Sequence, residues 1–583
     1  MTATGSEIVI IDLGTTAARA SLYRLDAGAP VAVARVEAAA SGDDREALLE
    51  ALGRAAGRDL KAGILPVVTV SSRPWPVLVA GMARGITAES IYKAVQDAGL
   101  VASDILSVDD RRMEHERVAA IRRAPKNAVV LGGGVDEGLL EYGQGQQVAD
   151  MAALLARSIE PGRLPLIYAG SREALPGAEQ ALAGHVLTLA DNPRPVLEEE
   201  HLEGLVNVLA DVYRRSQATP ATWPWGLAYR RGLALLQAEL GGNVLGVDLD
   251  GTSAEVASVI NGQAHRTGYS ESWPEPRRLA SRTLVWEQVA EWLPWAPSDN
   301  DENIMENFRL RPATVAVDWR DALVRQAYHR VLLSRALAEH QETVATLRGL
   351  KKQRTIGDVF ADRQTLGGIT LVDMGKIGFI VASGGAWLDY AWPAQAAAVL
   401  IDGLQPAGLT NLLWDKDGTI VAAGVLDLWG GTARSLASRA AGGLAPGLVP
   451  LGAVAAVASR SGLGLGSVLG RVRWESGGRQ FEEPIQAGAV RAYSLPPGER
   501  AEVTILPSRG VDAGAGPGQP VTGTATGGPA GLIVDGRGRP VRPRSGRDGD
   551  TWRQVARWLE AIDALPESVA AWGRQQAGKA GVR

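Results

Sequence analysis

The chain contains no cysteine, which excludes disulfides, thiol catalysis and zinc–thiolate sites. Its 583 residues include only six histidines, at 115, 185, 201, 265, 329 and 340. None stands in HExxH spacing, which speaks against a His-rich metal centre. There is no strong charge of one sign. The formal net charge of −5 offers no footprint for nucleic acid or an anionic membrane. The sixteen Trp are dispersed, and the WPW (223–225) and PWAP (294–297) clusters read as packing or partner-facing loops rather than a base-stacking platform. No apolar run approaches the about 20 residues that span a bilayer. No N-terminal stretch has the order of a signal peptide, so a cytoplasmic location is expected. A GxxxxGK[ST] P-loop is absent, and GLGLGSVLG (462–470) lacks the GxGxxG spacing of a dinucleotide site. No repeat of about 20–50 residues is evident.

What is present is ordinary for a globular protein, 46% hydrophobic and 21% charged, of about two to four domains. Within it, two segments look like one device used twice: EIVIIDLGTTAARASLYRL (7–25) and NVLGVDLDGTSAEVASVI (243–260). Each is an apolar, β-branched run ending in Asp, then a small-residue turn, then a second strand-like run. Such a pattern predicts a β-hairpin. Small turn residues let backbone N–H groups and hydroxyls approach an anion. A terminal Asp suits a hydrated Mg²⁺, which takes only one or two carboxylates and keeps its waters. Two such hairpins facing each other would clamp nucleotide phosphates. A third element, Ser383-Gly384-Gly385-Ala386, follows the strand-like GFIVAS and precedes a helical run. The bland reading of each is a plain turn; two hairpins and a Gly-Gly turn in order carry more weight than any one.

Strands alternating with helices over residues 64–215 imply βαβ units and a mainly parallel sheet. TAESIYKAVQDAGL (87–100) reads as a helix with a Thr N-cap, and residues 198–215, 282–350 and 551–572 as helical. From about 442 to 547 short Val-rich runs among Gly and Pro read as an all-β module, with 510–528 as a flexible loop.

The ordered triple resembles the actin-like ATPase superfamily. VSSRPWPVLVAGMARGITAESIYKAVQDAGL, VVLGGGVDEG, LIYAGSREA, LRPATVAVDW, ASGGAW and VLIDGLQPAGLTNLLWDKDG follow, in order, blocks of the glutamate mutase accessory protein MutL family, which is unrelated to the mismatch-repair protein of that name. The resemblance spans roughly residues 7–425. It implies an α/β, two-lobed actin-like core of ribonuclease H-like repeats plus a C-terminal all-β module. The expected domains are 1–240 and 241–430 for the lobes, 431–547 for the β module and 548–583 for a terminal helix and tail.

By the same resemblance Asp12, Gly14, Thr15 and Thr16 form the first phosphate loop, and Asp248, Gly251, Thr252 and Ser253 the second. Gly384 and Gly385 form the adenosine loop, and Asp12 and Asp248 position Mg²⁺ through water. The implied ligand is ATP, and the implied partner a cobalamin-dependent mutase subunit, served by a chaperone-like reactivase or assembly factor. If ATP is hydrolysed, Asp136, Asp250 or Glu255 would position the attacking water. Two other readings stand beside this: a nucleotide-binding scaffold with little turnover, and a small-molecule kinase. The chain also departs from the family pattern. Ala18 and Arg19 replace Thr and Lys after the first loop. Asp250 stands at a glycine position of the second, and Arg73, Pro74, Trp75 and Pro76 replace small residues. An added carboxylate beside phosphates costs electrostatic energy unless a cation offsets it.

Overall fold

The computed structural model describes residues 7–14, 17–26, 29–39, 45–60, 65–136, 144–219, 221–270, 284–345, 370–430, 437–438, 443–444, 447–459, 464–543 and 551–569. Each β-branched run with its terminal Asp becomes the first strand of a hairpin. The first set is β1 (Glu7–Leu13), β2 (Ala17–Asp26) and β3 (Ala29–Ala39), an antiparallel trio. Ile8, Val9, Ile10 and Ile11 are all buried, so β1 is a central strand covered on both faces. Helix α1 (Arg45–Ala56) leads to β4 (Val67–Ser71), which pairs parallel with β1.

The chain then leaves this sheet. β5 (Pro76–Gly81), α2 (Thr87–Asp97), β6 (Val101–Ser107), α3 (Glu114–Arg123), β7 (Ala128–Leu131), α4 (Gln144–Ser158), β8 (Leu166–Tyr168), α5 (Leu175–Ala181) and β9 (Leu187–Leu189) form a separate parallel sheet. Its strand order is β6-β5-β7-β8-β9. The strands expected in one sheet therefore divide between two, because βα alternation is the same text in either. Thr87 is the first residue of α2 rather than its cap; its hydroxyl accepts the N–H groups of Met82 and Ala83 in the preceding turn. α6 (Glu203–Ser216), with Leu205, Val206, Leu209 and Tyr213 buried, returns the chain to β10 (Thr222–Pro224) at the edge of the first sheet. α7 (Trp225–Leu240) carries it across to the second lobe, ending where Gly241 adopts the left-handed conformation common at helix C-termini.

The second lobe repeats the plan. β11 (Asn243–Asp250), β12 (Ser253–Ile260) and β13 (Gln263–Ser270) are antiparallel; α8 (Trp286–Ala290), α9 (Asp299–Leu310) and α10 (Trp319–Thr343) follow. The N-terminus of α10 is capped by the Asp318 carboxylate, which accepts the Asp321 N–H at 2.8 Å. β14 (Ile377–Ser383), a 3₁₀ turn (Gly385–Asp389), α11 (Pro393–Leu404), β15 (Gly408–Asp415) and α12 (Thr419–Leu428) complete it. The first sheet runs β3-β2-β1-β4-β10 and the second β13-β12-β11-β14-β15. The same order, third-second-first-fourth-fifth, occurs twice: this is the two-lobed actin-like architecture, and it sets Asp12 and Asp248 at equivalent strand ends.

The C-terminal strands are not all separate. After the short pair β16 (Ala437–Ser438) and β17 (Gly443–Leu444), β18 (Leu448–Ala456) pairs antiparallel with β15. β19 (Ala458–Ser459), β20 (Val468–Ser476), β21 (Arg479–Gln486), β22 (Val490–Tyr493), β23 (Arg500–Pro507), β24 (Val511–Asp512), β25 (Val521–Thr526), β26 (Leu532–Asp535) and α13 (Thr551–Ala561) follow. β18, β26 and β22 extend the second lobe's sheet to eight strands, while β21-β20-β23-β25 form a four-stranded sheet. The segment 510–528, read as a loop, contains β25, which pairs with β23 and shares a Thr504–Thr522 hydroxyl contact at 3.0 Å. Its Thr at every second position, 522, 524 and 526, outweighs the neighbouring glycines.

Candidate functional site

The two hairpins are equivalent residue by residue. Asp12 pairs with Arg19 across β1–β2, and Asp248 pairs with Glu255 across β11–β12. Asp12 and Asp248 line one small cleft between the lobes, of about 60 Å³, together with Arg19, Ser383 and Gly384. Both acids lose water there. Burial pushes the Asp12 carboxyl up to about 6, against the lowering effect of Arg19, and Asp250 raises it further. Burial, then Asp250, raise Asp248 well above the ordinary carboxylate range. The Asp12 Oδ1 atom is buried without a hydrogen-bond partner, while its Oδ2 lies 3.7 Å from Arg19 Nη1.

Asp250 closes the second loop. Its carbonyl accepts the Ser253 hydroxyl at 3.0 Å, and half-buried Thr252 lies in the same turn. Gly251 sits at φ +57°, and a Cβ there would come within 2.8 Å of Pro312, so the turn has room and backbone only for glycine. Gly384 sits at φ +102°, and a Cβ on it would come within 2.7 Å of the Leu249 nitrogen. The Gly-Gly turn therefore lies directly on the second loop. His329 ties the two together: its Nε2–H donates to the Gly251 carbonyl at 3.2 Å, and its Nδ1 meets the Tyr390 hydroxyl at 2.8 Å. Burial holds that imidazole down to about 3, so it stays neutral.

The structure thus brings Asp12, Asp248 and Gly384 to one cleft, with Gly385 and Asp250 beside the Arg19 guanidinium that lines it; Gly251 lies one turn away, against Pro312 and His329. Gly14 sits at the end of the first strand, where a Cβ would strike the Ala17 carbonyl; Thr15 and Thr16 lie outside the described residues. Two other expected residues are not brought to the cleft. Glu255 is turned to Arg266, with which it forms a buried ion pair; burial raises its carboxyl and Arg266 opposes the rise. Asp136 lines a different cavity of about 1470 Å³ between the inserted sheet and the β12–β13 turn. There it accepts the Arg172 N–H at 2.9 Å and the Asn192 amide at 3.3 Å, joining the loops after β7, β8 and β9.

Several cleft residues were not foreseen. Tyr23 Oη donates to the Asp417 carbonyl at 2.6 Å, and Arg35 Nη1 to the Lys416 carbonyl at 2.8 Å, so β2 and β3 of the first lobe meet the second lobe just before α12. Asp415 caps α12 through the Thr419 and Ile420 N–H groups at 2.8 and 3.0 Å; burial raises its carboxyl to about 6 against those hydrogen bonds. The only sequence signal was the WDKDG text ahead of an apolar helix.

The family model described as MutL protein matches residues 8–440. The chain belongs to the MutL protein family. No curated protein matches this MutL-family chain. Among solved structures it is similar to nucleotide-free acetone carboxylase, at 13% identity over 83% of this chain and 81% of that one, TM-score 0.26. It is also similar to component A of Acidaminococcus fermentans (R)-2-hydroxyglutaryl-CoA dehydratase, at 9% identity over 72% and 96%, TM-score 0.23. Xylulose kinase from Bifidobacterium adolescentis matches at 14% identity over 74% and 94%, TM-score 0.27. The fold of this MutL chain rests on its repeated strand order rather than on these low scores. Among the described residues no helix is long and apolar enough to cross a membrane.

Proposed function

We propose that this MutL-family chain binds a nucleoside triphosphate between its lobes and uses the ligand to change the lobe angle. One observation carries the reading: two equivalent hairpins bring Asp12 and Asp248 to one narrow cleft, both with raised carboxyl pKa values. Half-buried acids whose carboxyls are raised in this way favour a nearby cation. Among the described residues no group of three or more His, Cys, Asp or Glu is arranged to hold a metal ion. The two carboxylates that share the cleft, with Asp12 Oδ1 lacking a hydrogen-bond partner, would suit a Mg²⁺ that takes only these two acids and completes its shell with water. Bound there, the metal would supply charge neutralisation beside the phosphates.

The chain's own residues supply the rest. Gly14 and the turn Gly251-Thr252-Ser253 offer backbone N–H groups to phosphate oxygens, the Ser253 hydroxyl bracing the turn through the Asp250 carbonyl, and Gly384 and Gly385 leave a surface free of side chains for the nucleoside. Of the three candidate acids, Asp250, which stands beside the cleft residue Arg19, is the one left to orient an attacking water; Asp136 and Glu255 are engaged elsewhere. A nucleotide site needs a cavity of several hundred Å³, so the cleft of about 60 Å³ is a closed state that must part to admit ligand. Such parting and closing is a motion that can act on a partner protein. Family membership supports a cobalamin-dependent mutase as that partner, in reactivation or assembly.

A scaffold with little turnover is the second reading, favoured by the additional carboxylate of Asp250 beside Asp12 and Asp248. Calorimetry with Mg·ATP and Mg·ADP, coupled to phosphate release, separates the two. Turnover that slows the inactivation of a mutase supports the first reading, and binding without turnover supports the second. Absence of nucleotide binding removes both.

A further inference from the structure

Two departures from the family's loop text meet in space. Arg19 lies on β2 of the first lobe and Asp250 at the end of β11 in the second. The point where Gly385 would carry a Cβ lies 2.6 Å from Arg19 Nη2 and 3.4 Å from Asp250 Oδ1. That places the two charges within about 6 Å of each other, the range in which opposite charges stabilise one another's ionised forms. Arg19 is nearly enclosed, its side chain 13% exposed, and its Nε donates to Glu37 at 3.0 Å. Burial disfavours its charge, but Asp12, Glu37 and Asp250 outweigh that and hold it above the ordinary arginine value. Arg19 in turn opposes the rise of Asp12 and Asp248. One guanidinium is thus shared by carboxylates from both lobes.

We propose that Arg19, held between the acids of its own lobe and Asp250 of the other, makes the cleft selective for a metal-complexed polyphosphate over either the metal or the polyphosphate alone. The inference rests on the nucleotide reading and deepens it. An anion can draw Arg19 from the acids that share it, Asp12, Glu37 and Asp250, only if another cation takes its place; a divalent cation can engage Asp12 and Asp248 only if Arg19 receives another anion. Leaving either side buried and uncompensated is strongly unfavourable. A metal–polyphosphate complex supplies both at once, so binding and release of the pair are a single event. At position 14 of the first loop, the equivalent of 250, the residue is glycine, and the first lobe carries no matching acid there.

The test is calorimetry on the full chain with three probes: Mg·ADP, ADP in excess chelator, and Mg²⁺ alone. For the native chain the expectation is binding of Mg·ADP at least tenfold tighter than of chelated ADP, with no heat from Mg²⁺. Asp250→Gly removes the second lobe's share in Arg19, leaving it to Asp12 and Glu37, and should cut the metal preference to below threefold. Arg19→Gln removes the internal cation and should create measurable Mg²⁺ binding in the absence of nucleotide. Arg19→Lys, which keeps the charge, should leave Mg²⁺ binding undetected; this and thermal unfolding of each variant separate a charge effect from misfolding. If native protein binds ADP equally with and without metal, or if folded Asp250→Gly and Arg19→Gln keep the native ratios, the proposal is overturned while the nucleotide reading stands. If Mg·ADP binds to none of the folded chains, the nucleotide reading itself has failed.

Discussion

The Tyr23 hydroxyl of the first lobe donates a 2.6 Å hydrogen bond to the Asp417 carbonyl of the second. Tyr23 is buried, and a second link, Arg35 to the Lys416 carbonyl, lies beside it. The two contacts fasten the lobes at the cleft itself, which Tyr23, Arg35, Lys416 and Asp417 line.

Tyr23→Phe should therefore loosen closure. The loss of one buried hydrogen bond lowers stability by about 1 kcal/mol, read as a shift of the denaturant midpoint. Small-angle scattering of the ligand-free variant should also show a larger radius of gyration. An unchanged radius with an unchanged midpoint would mean that this contact does not hold the lobes.

The C-terminal strands should prove inseparable from the second lobe. Arg537, its side chain 3% exposed, bridges Asp402 of α11 at 2.7 Å and Asp535 of β26 at 2.8 Å, and its guanidinium lies over Trp558 of α13 at 5.0 Å. Burial acts to raise Asp535, yet Arg537 and Arg539 hold it far below the usual carboxylate range. Arg537→Leu leaves buried acids without this partner and should cost about 3–5 kcal/mol, with one cooperative unfolding transition lowered as a whole. A separate low-temperature transition for the C-terminal region alone would contradict the shared sheet.

Stability should carry a histidine signature. The ring nitrogens of His340 meet Thr267 Oγ1 at 3.0 Å and Ser258 Oγ at 2.8 Å, and burial pushes its pKa down to about 3. A histidine whose folded pKa lies below its unfolded value contributes stability above about pH 6.5, and that contribution fades as pH falls toward the folded pKa. The gap in unfolding free energy between the native chain and His340→Gln should shrink by about 1.4 kcal/mol from about pH 7.5 to pH 5.5. A constant gap would mean that His340 titrates alike in both states. Asp415, raised to about 6, acts with the opposite sign, so the variant comparison is more telling than the raw pH profile.

The hairpins were legible because a β-branched run, a terminal Asp and a small-residue turn are local signals, and Gly251 and Gly384 serve conformations that favour glycine. The remainder of the site depends on pairing and on the meeting of lobes. That Arg19 stands opposite Asp12 as Glu255 stands opposite Asp248 becomes meaningful only once both registers exist. The commitment of Glu255 to Arg266 depends on the third strand, β13. Asp136 resembled a catalytic acid in its GGGVDEG text, but in space it binds neighbouring loops of the inserted sheet. The approach of Asp417 to Tyr23 and of Lys416 to Arg35 joins residues almost four hundred positions apart, beyond any local pattern.

The central claim is that Asp12 and Asp248 serve one nucleotide–metal site between the lobes. Titration of Mg·ATP into the native chain and into Asp12→Asn tests it most directly. The account predicts one site per chain in the native protein and at least a tenfold loss of affinity in the folded variant, about 1.4 kcal/mol or more. Equal affinity in the two folded chains, or no binding to the native one, would contradict it.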